Sequence, residues 1–192
     1  MWKTACRKSW SIIYWLPTGI FLSSFYHIEY VSGRSMQPTL NPDSSQWRDI
    51  VLFSRFSAPW HQYQRDDIVS LRSPEDPERV LIKRILATEG DTVKTLPPYP
   101  DREVVVPKGH AWIEGDEHFL SDDSNRFGAI SQSLIQSKFV MILWPMHRFG
   151  FLKPGGSQVN VGGQPDRQTL AELKRNEVRR SRVQHAAMPL EA

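Results

Sequence analysis

The chain lacks the residues on which two common kinds of metal or disulfide site depend. Its 192 residues include one cysteine, Cys6, so neither an internal disulfide nor a cysteine-based structural zinc site can form. The six histidines show no H-E-x-x-H pattern or comparable ligand spacing. The sequence therefore predicts no metal site and no cofactor, and a zinc peptidase is unsupported.

A strong excess of charge of one sign is also missing. The 24 lysines and arginines outnumber the 21 aspartates and glutamates by only 3. So mild a positive charge does not indicate nucleic acid binding. Internal repeats and long amphipathic helical patterns are absent as well, and the length fits one domain with accessory segments.

One long segment without formal charge lies near the N-terminus, if His27 is neutral. Residues 9–28 are rich in aromatic and aliphatic side chains and follow Lys3, Arg7 and Lys8. Twenty helical residues at about 1.5 Å each span a hydrocarbon core of about 30 Å. We predict a transmembrane anchor over 9–28, with a basic N-terminus at 1–8 on the positive-inside face. A cleaved signal peptide or a core helix is the alternative.

A candidate nucleophile follows this segment at Ser35. The G-x-S-x-G elbow of α/β-hydrolases does not fit, because Gln37 stands where the second glycine should be. The S-x-x-K pattern of penicillin-binding enzymes does not fit either, because no lysine lies three residues after a serine. Spacing alone also allows a surface turn before a strand.

The candidate base is Lys83, which lies in the apolar, partly β-branched run 80–86. Such a run favours a largely buried strand. Burial of the amine would lower its pKa and leave neutral amine able to accept a proton from serine. Arg84 is predicted to point to the opposite face and to lower that pKa a little further. Alternatively, the methylene groups of the lysine lie against apolar residues and its amine reaches water.

Short β-like runs separated by turns fill the chain between the anchor and about residue 150. They predict a mainly β, sheet-and-barrel-like domain over 29–154, with strands at 50–53, 68–71, 80–87, 104–106, 111–114 and 139–144. A glycine-rich stretch and many charges follow. We predict a flexible linker and charged tail over 155–192, with lipid headgroups or a partner subunit as alternative contacts.

Four segments in order, 33–42, 67–71, 82–91 and 115–128, resemble the sequence boxes of the type I signal peptidase family, especially its mitochondrial inner membrane members. The resemblance covers about 31–145. It implies a serine endopeptidase, anchored once in the mitochondrial inner membrane, with its catalytic domain in the intermembrane space. It also implies three partners: precursors carrying sorting peptides, the lipid bilayer and a sister catalytic subunit. The expected reaction is removal of those peptides.

The resemblance assigns Ser35 as nucleophile, with its backbone N–H in the oxyanion hole, and Lys83 as general base. Gly33 matches a position where some bacterial members place a second, hydroxyl donor to that hole, which glycine lacks. Ser121 matches a serine that orients the lysine amine.

The same resemblance gives Asp123 and Ser124 a supporting role. Asn125 stands where the family has an arginine paired with the aspartate, so either Arg126 replaces that arginine or the ion pair is missing. An Asx/Ser-rich turn is the alternative for this stretch. Two strand-opening glycines are replaced by Arg48 and Asp66.

Three other functions remain open at this point. A bacterial or general secretory signal peptidase would use the same chemistry in another membrane, although the endoplasmic-reticulum relatives have histidine where Lys83 stands. A self-cleaving repressor-type serine/lysine protein would need a DNA-binding segment, which a membrane segment replaces here. A non-catalytic membrane-anchored subunit or scaffold is compatible with the altered triplet at 123–125.

Overall fold

The computed structural model describes residues 17, 19–20, 23–42, 48–56, 62–152 and 167–185. Ten strands and two α-helices have fully described bounds, and residues 17, 19–20 and 23–25 are also helical. The strands are β1 (Tyr26–Tyr30), β2 (Ile50–Ser54), β3 (Ile68–Arg72), β4 (Val80–Thr88), β5 (Thr92–Lys94), β6 (Glu103–Val105), β7 (His110–Glu114), β8 (Ile130–Ser131), β9 (Ile135–Trp144) and β10 (Val183–Gln184). The helices are α1 (Ser124–Phe127) and α2 (Arg167–Ser181).

The strands form two antiparallel sheets. Seven strands follow the order β1-β2-β9-β3-β4-β7-β8, and three follow the order β10-β5-β6. Two strands separate β1 from β3, yet the Ser70 hydroxyl donates to Glu29 Oε1 across 3.3 Å. The larger sheet therefore curls until side chains from distant strands meet, which confirms the mainly β prediction.

The six predicted strands are all present. The structure extends five of them by one to four residues, because ladder hydrogen bonds continue into polar neighbours such as Ser54 and Arg72. The sixth lies at Glu103–Val105, one residue earlier than predicted. The sequence analysis missed β1, β5, β8 and β10, of which three have only two or three residues and so carry little pattern.

The predicted anchor over 9–28 lies largely outside the described residues. Its last three residues do not belong to a helix, because Tyr26, His27 and Ile28 pair with Ser54, Phe53 and Leu52 in the β1–β2 ladder. Among the residues that the structure describes, no helix is long and apolar enough to cross a membrane.

Within the tail predicted over 155–192, residues 167–185 are described and form regular structure, whereas 155–166 and 186–192 lie outside the described residues. Residues 167–181 form α2, and β10 pairs with β5 through Val183 and Val93. The side chain of Arg179 is 9% exposed and bonded to Asp116. Arginine pairing with acidic residues of the β domain, rather than an apolar stripe, holds this segment in place.

Candidate active site

A tight turn directly after β1 presents Ser35. Gln37 N–H donates to the Arg34 carbonyl at 3.0 Å, and Leu40 N–H donates to the Met36 carbonyl at 2.8 Å. The Met36 and Leu40 side chains are buried beside Val31 and Val51. Burial of two apolar residues on either side of the turn fixes the backbone that carries the serine.

Asn41 closes the turn with its own side chain. Its Nδ2 donates to the Val31 carbonyl at 2.7 Å, and its Oδ1 accepts from Asp49 N–H at 2.7 Å. The φ angle of Asn41 is 51°, a left-handed conformation that asparagine tolerates better than most residues. The start and end of the segment 31–41 are thereby tied together.

Lys83 lies in the middle of β4, opposite Val69 of β3. Its side chain is buried, and Nζ donates to the Ser121 hydroxyl at 2.9 Å. Loss of hydration lowers the pKa of Lys83 from 10.5 to about 8, although Asp123 and Asp122 oppose the change. A usable fraction of neutral amine therefore exists near neutral pH, as a general base requires.

Arg84 points away from Lys83, as strand alternation predicts. Its guanidinium donates from Nε and Nη2 to the two carboxylate oxygens of Asp116 at 2.9 and 2.8 Å. The predicted influence of Arg84 on the pKa of Lys83 stays a prediction, since Arg84 is bonded to Asp116 on the other face of β4. Arg79, on the lysine's side, is the cation that lowers the pKa of Lys83.

Ser35 and Lys83 line one cleft of about 560 Å³. Residues 28–36 form one wall, and 79–83, Leu120 and Asp122 form the other. Gly33 lies in the first wall. No hydrogen bond joins Ser35 Oγ to Lys83 Nζ in the described part of the chain, and such bonds commonly tighten only when substrate is bound.

The loop after β7 supports the backbone of Ser35. Glu117 N–H donates to the Ser35 carbonyl at 2.9 Å. A β-carbon on Gly115 would lie 2.5 Å from that carbonyl oxygen and 2.3 Å from Ser121 Oγ. Residue 115 therefore has to be glycine for Ser121 and the turn 34–40, which carries the candidate nucleophile and is called the nucleophile turn below, to approach this closely.

Asp123 and Ser124 lie behind the cleft and hold this loop. The Asp123 carboxylate accepts from the backbone N–H groups of Gly115 and Asn125, each at 3.1 Å. The Ser124 hydroxyl accepts from Ile113 N–H at 3.0 Å. Both side chains are buried and act on the backbone around the site.

Arg126 does not replace the family's arginine. Its guanidinium pairs with Asp122 at 2.8 Å and with Glu75 at 3.6 Å. Among the described residues, Asp123 has no arginine partner; Asn125 bonds it instead, through Nδ2 at 3.2 Å. Neutral donors thus take the place of an ion pair. Asp66, which replaces a family glycine, has a φ of 69°, the conformation that favours glycine.

Several residues of the site were not singled out from the sequence. Asp122 and Arg79 line the cleft, and Asp116 and Glu117 fix the loop under Ser35. Gly115 and Asp116 open the fourth box of the resemblance, but nothing in the local pattern assigns them a partner. Each acts through a contact between segments far apart in sequence.

Comparison with known proteins agrees with the resemblance. The family described as "Signal peptidase, peptidase S26" matches residues 8–97. The chain is 45% identical to mitochondrial inner membrane protease subunit 2 of Danio rerio over 133 residues, 69% of this chain and 72% of that protein. For the Schizosaccharomyces pombe subunit 2 the identity is 42%, over 78% of this chain and 83% of that protein.

Similarity extends to a protein named as the other subunit type. Mitochondrial ATP-independent inner membrane protease subunit 1b of Arabidopsis thaliana is 34% identical over 168 residues, 80% of this chain and 94% of that protein. A crystal structure of a signal peptidase I from Enterococcus faecalis aligns with 40% of this chain and 96% of that chain, at 21% identity and a TM-score of 0.34. The assignment of the chain rests on the sequence relatives alone.

Proposed function

Because the chain belongs to the signal peptidase family, peptidase S26, and is a mitochondrial protease of the inner membrane protease type, we propose that a Ser35/Lys83 dyad carries its activity. The observation that supports this most directly is the shared cleft, in which a buried lysine with a pKa of about 8 faces the nucleophile turn. Its substrates are precursors delivered to the intermembrane space, and the enzyme removes the sorting peptides from these precursors.

The proposed reaction follows from the positions of these two groups. Lys83, as neutral amine, takes the proton of the Ser35 hydroxyl while Oγ bonds to the scissile carbonyl carbon. The Ser35 backbone N–H donates to the oxyanion. The Lys83 ammonium then gives its proton to the leaving amine as the C–N bond breaks. The neutral amine next takes a proton from water while the water oxygen bonds to the acyl carbon; the C–Oγ bond then breaks and the ammonium returns the proton to Oγ, which releases the peptide acid and restores Ser35 and Lys83.

The substrate binds as an added strand in the cleft. In the described part of the chain, β1 pairs on one side only, with β2. The 80–83 part of β4 pairs with β3, whereas β7 pairs only with residues 84–88. Both walls therefore offer unpaired backbone N–H and C=O groups, which an extended peptide can satisfy. Shallow apolar pockets select small side chains just before the cut.

An apolar surface beside the nucleophile turn supports a membrane-facing orientation. The ladder places Tyr30 opposite Ile50, and Ile50 opposite Trp144, so both aromatic residues lie at one end of the sheet. Tyr30, Met146, Phe149 and Phe151 are each more than half exposed. We assign this surface to the bilayer, because aromatic residues favour the interface. We propose that the anchor ends before β1, within residues 9–25, and crosses once, and that the catalytic domain faces the intermembrane space.

The relatives are named as subunits, which supports a protease complex. The similarity to proteins named subunit 1 and subunit 2 indicates that two related chains share this fold. We therefore propose a heterodimer with a sister catalytic subunit. This pairing would double the number of dyads within one complex and allow the two clefts to differ in specificity.

The dyad is tested with Ser35→Ala and Lys83→Met in the full chain, assembled with its sister subunit in membranes. Precursors of intermembrane-space proteins are added, and cleavage is followed by gel mobility and by sequencing of the new N-terminus. Each variant should abolish cleavage at this subunit's sites while membrane association is unchanged. Ser133→Ala and Lys138→Met, which alter an exposed turn serine and a lysine paired with Asp67, should cleave normally.

Wild-type cleavage by either dyad variant would refute the assignment. If the wild-type complex cleaves no precursor, a non-catalytic subunit or scaffold becomes the better description. Cleavage of secretory rather than mitochondrial precursors would place the same chemistry in another membrane.

A further inference from the structure

We propose that the C-terminal helix α2 positions the nucleophile, with Arg179 as the positioning residue. The inference rests on the proposed function, since it concerns the same Ser35. Arg179 lies 144 residues from the nucleophile in sequence. It is linked to Ser35 by two contacts, one from the helix to the 114–117 loop and one from that loop to the nucleophile turn.

The contact from the loop to the nucleophile is a direct backbone bond. Glu117 N–H donates to the Ser35 carbonyl, and Gly115 packs against the same oxygen. The N–H that would face the oxyanion belongs to the same residue as that carbonyl. Movement of the loop would therefore rotate the Ser35 backbone and misdirect both its N–H and its side chain.

The contact from the helix to the loop is a buried ion pair. Arg179 Nη1 donates to Asp116 Oδ1 at 2.6 Å, and Nη2 donates to the Asp116 carbonyl at 3.5 Å. The two side chains are 9% and 3% exposed. Asp116 lies between Gly115 and Glu117, so a guanidinium that binds both its side chain and its carbonyl restrains the loop on either side.

Two further arginines form ion pairs with the loop residues on either side of the Arg179–Asp116 pair. Arg175 pairs with Glu117 at 3.6 Å, and Arg182 pairs with Glu114. Arg175 and Arg179 are four residues apart, which places them on one face of the helix, and Arg182 follows just after its end. Every acidic residue of the 114–117 loop is thus paired with an arginine of one short C-terminal segment.

The helix also meets the nucleophile turn itself. A small cavity is lined by Pro38 and Thr39 of that turn, by Asp116, and by Arg175, Asn176 and Arg179 of α2. Arg84 Nη2 lies 3.4 Å from Thr39 Oγ1 and also binds Asp116. One side of the helix therefore spans the junction between the nucleophile turn and the loop that supports it.

The charge balance indicates that Arg179 is not needed to keep Asp116 ionised. Arg84 already binds both carboxylate oxygens of Asp116. Removal of Arg179 leaves that buried pair intact, whereas removal of Asp116 would leave two buried guanidinium groups short of a partner. Arg179→Ala should consequently fold, and its main effect should fall on the position of the loop.

The test uses Arg179→Ala in the full chain and compares it with Arg180→Ala. Arg180 lies on the same helix but pairs with Asp66 at an exposed site, rather than with an acidic residue of the 114–117 loop. We expect Arg179→Ala to lower kcat by roughly tenfold or more, with KM nearly unchanged, because misplaced reacting groups slow the chemical step. Arg179→Lys, which keeps the charge but not the planar fork, should restore part of the rate.

Hydrogen–deuterium exchange gives a second readout that needs no substrate. Amide exchange in residues 35–37, 39 and 115–117 should be faster in Arg179→Ala than in the wild-type protein, and unchanged in Arg180→Ala. Equal exchange in Arg179→Ala and wild type, or an equal loss of kcat in the two alanine variants, would overturn the proposal. If the wild-type chain cleaves no precursor, the proposed function fails while the exchange comparison still decides this inference.

A second variant covers the case in which Arg179→Ala does not fold. Arg179→Gln keeps a long side chain that can donate a hydrogen bond but removes the charge and the planar fork. Faster exchange of residues 115–117 in that variant than in the wild-type protein would support the positioning role of Arg179, and unchanged exchange would overturn it.

Discussion

Gly115 lies against the Ser35 carbonyl so closely that a β-carbon at residue 115 would come within 2.5 Å of the carbonyl oxygen. The same β-carbon would be 2.3 Å from the Ser121 hydroxyl oxygen. Because glycine has a hydrogen atom in place of a side chain, the nucleophile turn can approach Ser121, whose hydroxyl accepts the hydrogen bond from Lys83.

Gly115→Ala should slow cleavage strongly. The backbone oxygen of Ser35 has to move away from the new methyl group, and displacement by about 1 Å can cost on the order of a hundredfold in rate. We expect kcat for precursor cleavage to fall by roughly that factor. Gly109→Ala is the matched control, because φ is 73° there and nothing lies within 4 Å of the added methyl group.

The control should lose stability without losing kcat. An alanine in the left-handed region costs about 1 kcal/mol in folding free energy. If Gly115→Ala retains the wild-type kcat, the close approach to Ser35 does not matter for catalysis.

Asp123→Asn should move the pH profile of cleavage to lower pH. The wild-type rate should rise as Lys83 loses its proton around its pKa of about 8. The negative charge of Asp123 raises the pKa of Lys83, so its removal lowers that pKa and yields neutral amine at lower pH. The measurement is kcat/KM for a precursor peptide between pH 5 and about 10, which reports the free enzyme.

Arg126→Ala provides the comparison for that experiment. Its guanidinium is more than half exposed and pairs with Asp122 and Glu75 rather than Asp123, so the acid limb should move only slightly, and toward higher pH because Asp122 loses a partner. An equal shift in both variants, or a shift of Asp123→Asn to higher pH, would contradict the role of Asp123 beside the lysine.

Lys83→Met should be more stable than the wild-type protein at neutral pH, although the proposed dyad predicts that it is inactive. Burial lowers the pKa of Lys83 from 10.5 to about 8. At about 1.4 kcal/mol per pH unit, the charged lysine costs the fold about 3 kcal/mol. The lost hydrogen bond to Ser121 offsets about 1 kcal/mol of this, which leaves a gain of about 2 kcal/mol.

The stability gained by Lys83→Met over the wild-type protein should decrease as the pH rises. Between about pH 8 and 10.5 the unfolded lysine keeps its proton while the folded one does not, so wild-type stability rises with pH across that window. Denaturant unfolding should show a smaller difference in unfolding free energy between Lys83→Met and the wild-type protein at pH 10 than at pH 7. A difference that is constant with pH would mean that packing, rather than charge, separates them.

The strands at the centre of the fold were predictable because their apolar side chains recur in short runs. Residues 80–87 and 111–114 are examples, and both reappear in β4 and β7. β1 was hidden because Tyr26, Ile28 and Tyr30 follow directly on the apolar stretch 9–25 without a turn residue between them. Its alternation with His27 and Glu29 becomes meaningful only when β2 pairs with it.

The C-terminal segment shows a second limit of sequence patterns. Hydrophobic periodicity finds helices that bury apolar stripes, whereas α2 buries the charged side chain of Arg179 against Asp116. Arginines at 175, 179 and 182 look like a solvated face until their acidic partners are located. Gly115 shows the same limit. Only glycine fits at this position because a β-carbon would collide with Ser35 and Ser121, which are remote from one another in sequence.

Gly33→Ser should raise the cleavage rate. The family resemblance implies a hydroxyl donor at this position in some bacterial members, and a β-carbon there would lie 4.0 Å from both the nitrogen and the Oγ of Ser35. A serine therefore fits without displacing the nucleophile turn, and its hydroxyl can reach the oxyanion beside the Ser35 N–H. Because loss of one such donor costs about a hundredfold or more, a newly added and less well-oriented donor should raise kcat by up to about tenfold.

Gly33→Ala separates the hydroxyl from the added bulk. The methyl group fills the same space but donates no hydrogen bond, so kcat should stay at or slightly below the wild-type value. Equal kcat values for the serine and alanine variants would show that a hydroxyl at residue 33 does not reach the oxyanion. The Ser35 N–H would then have to stabilise that charge without help from this position, and the glycine would be explained by the room it leaves for the substrate backbone.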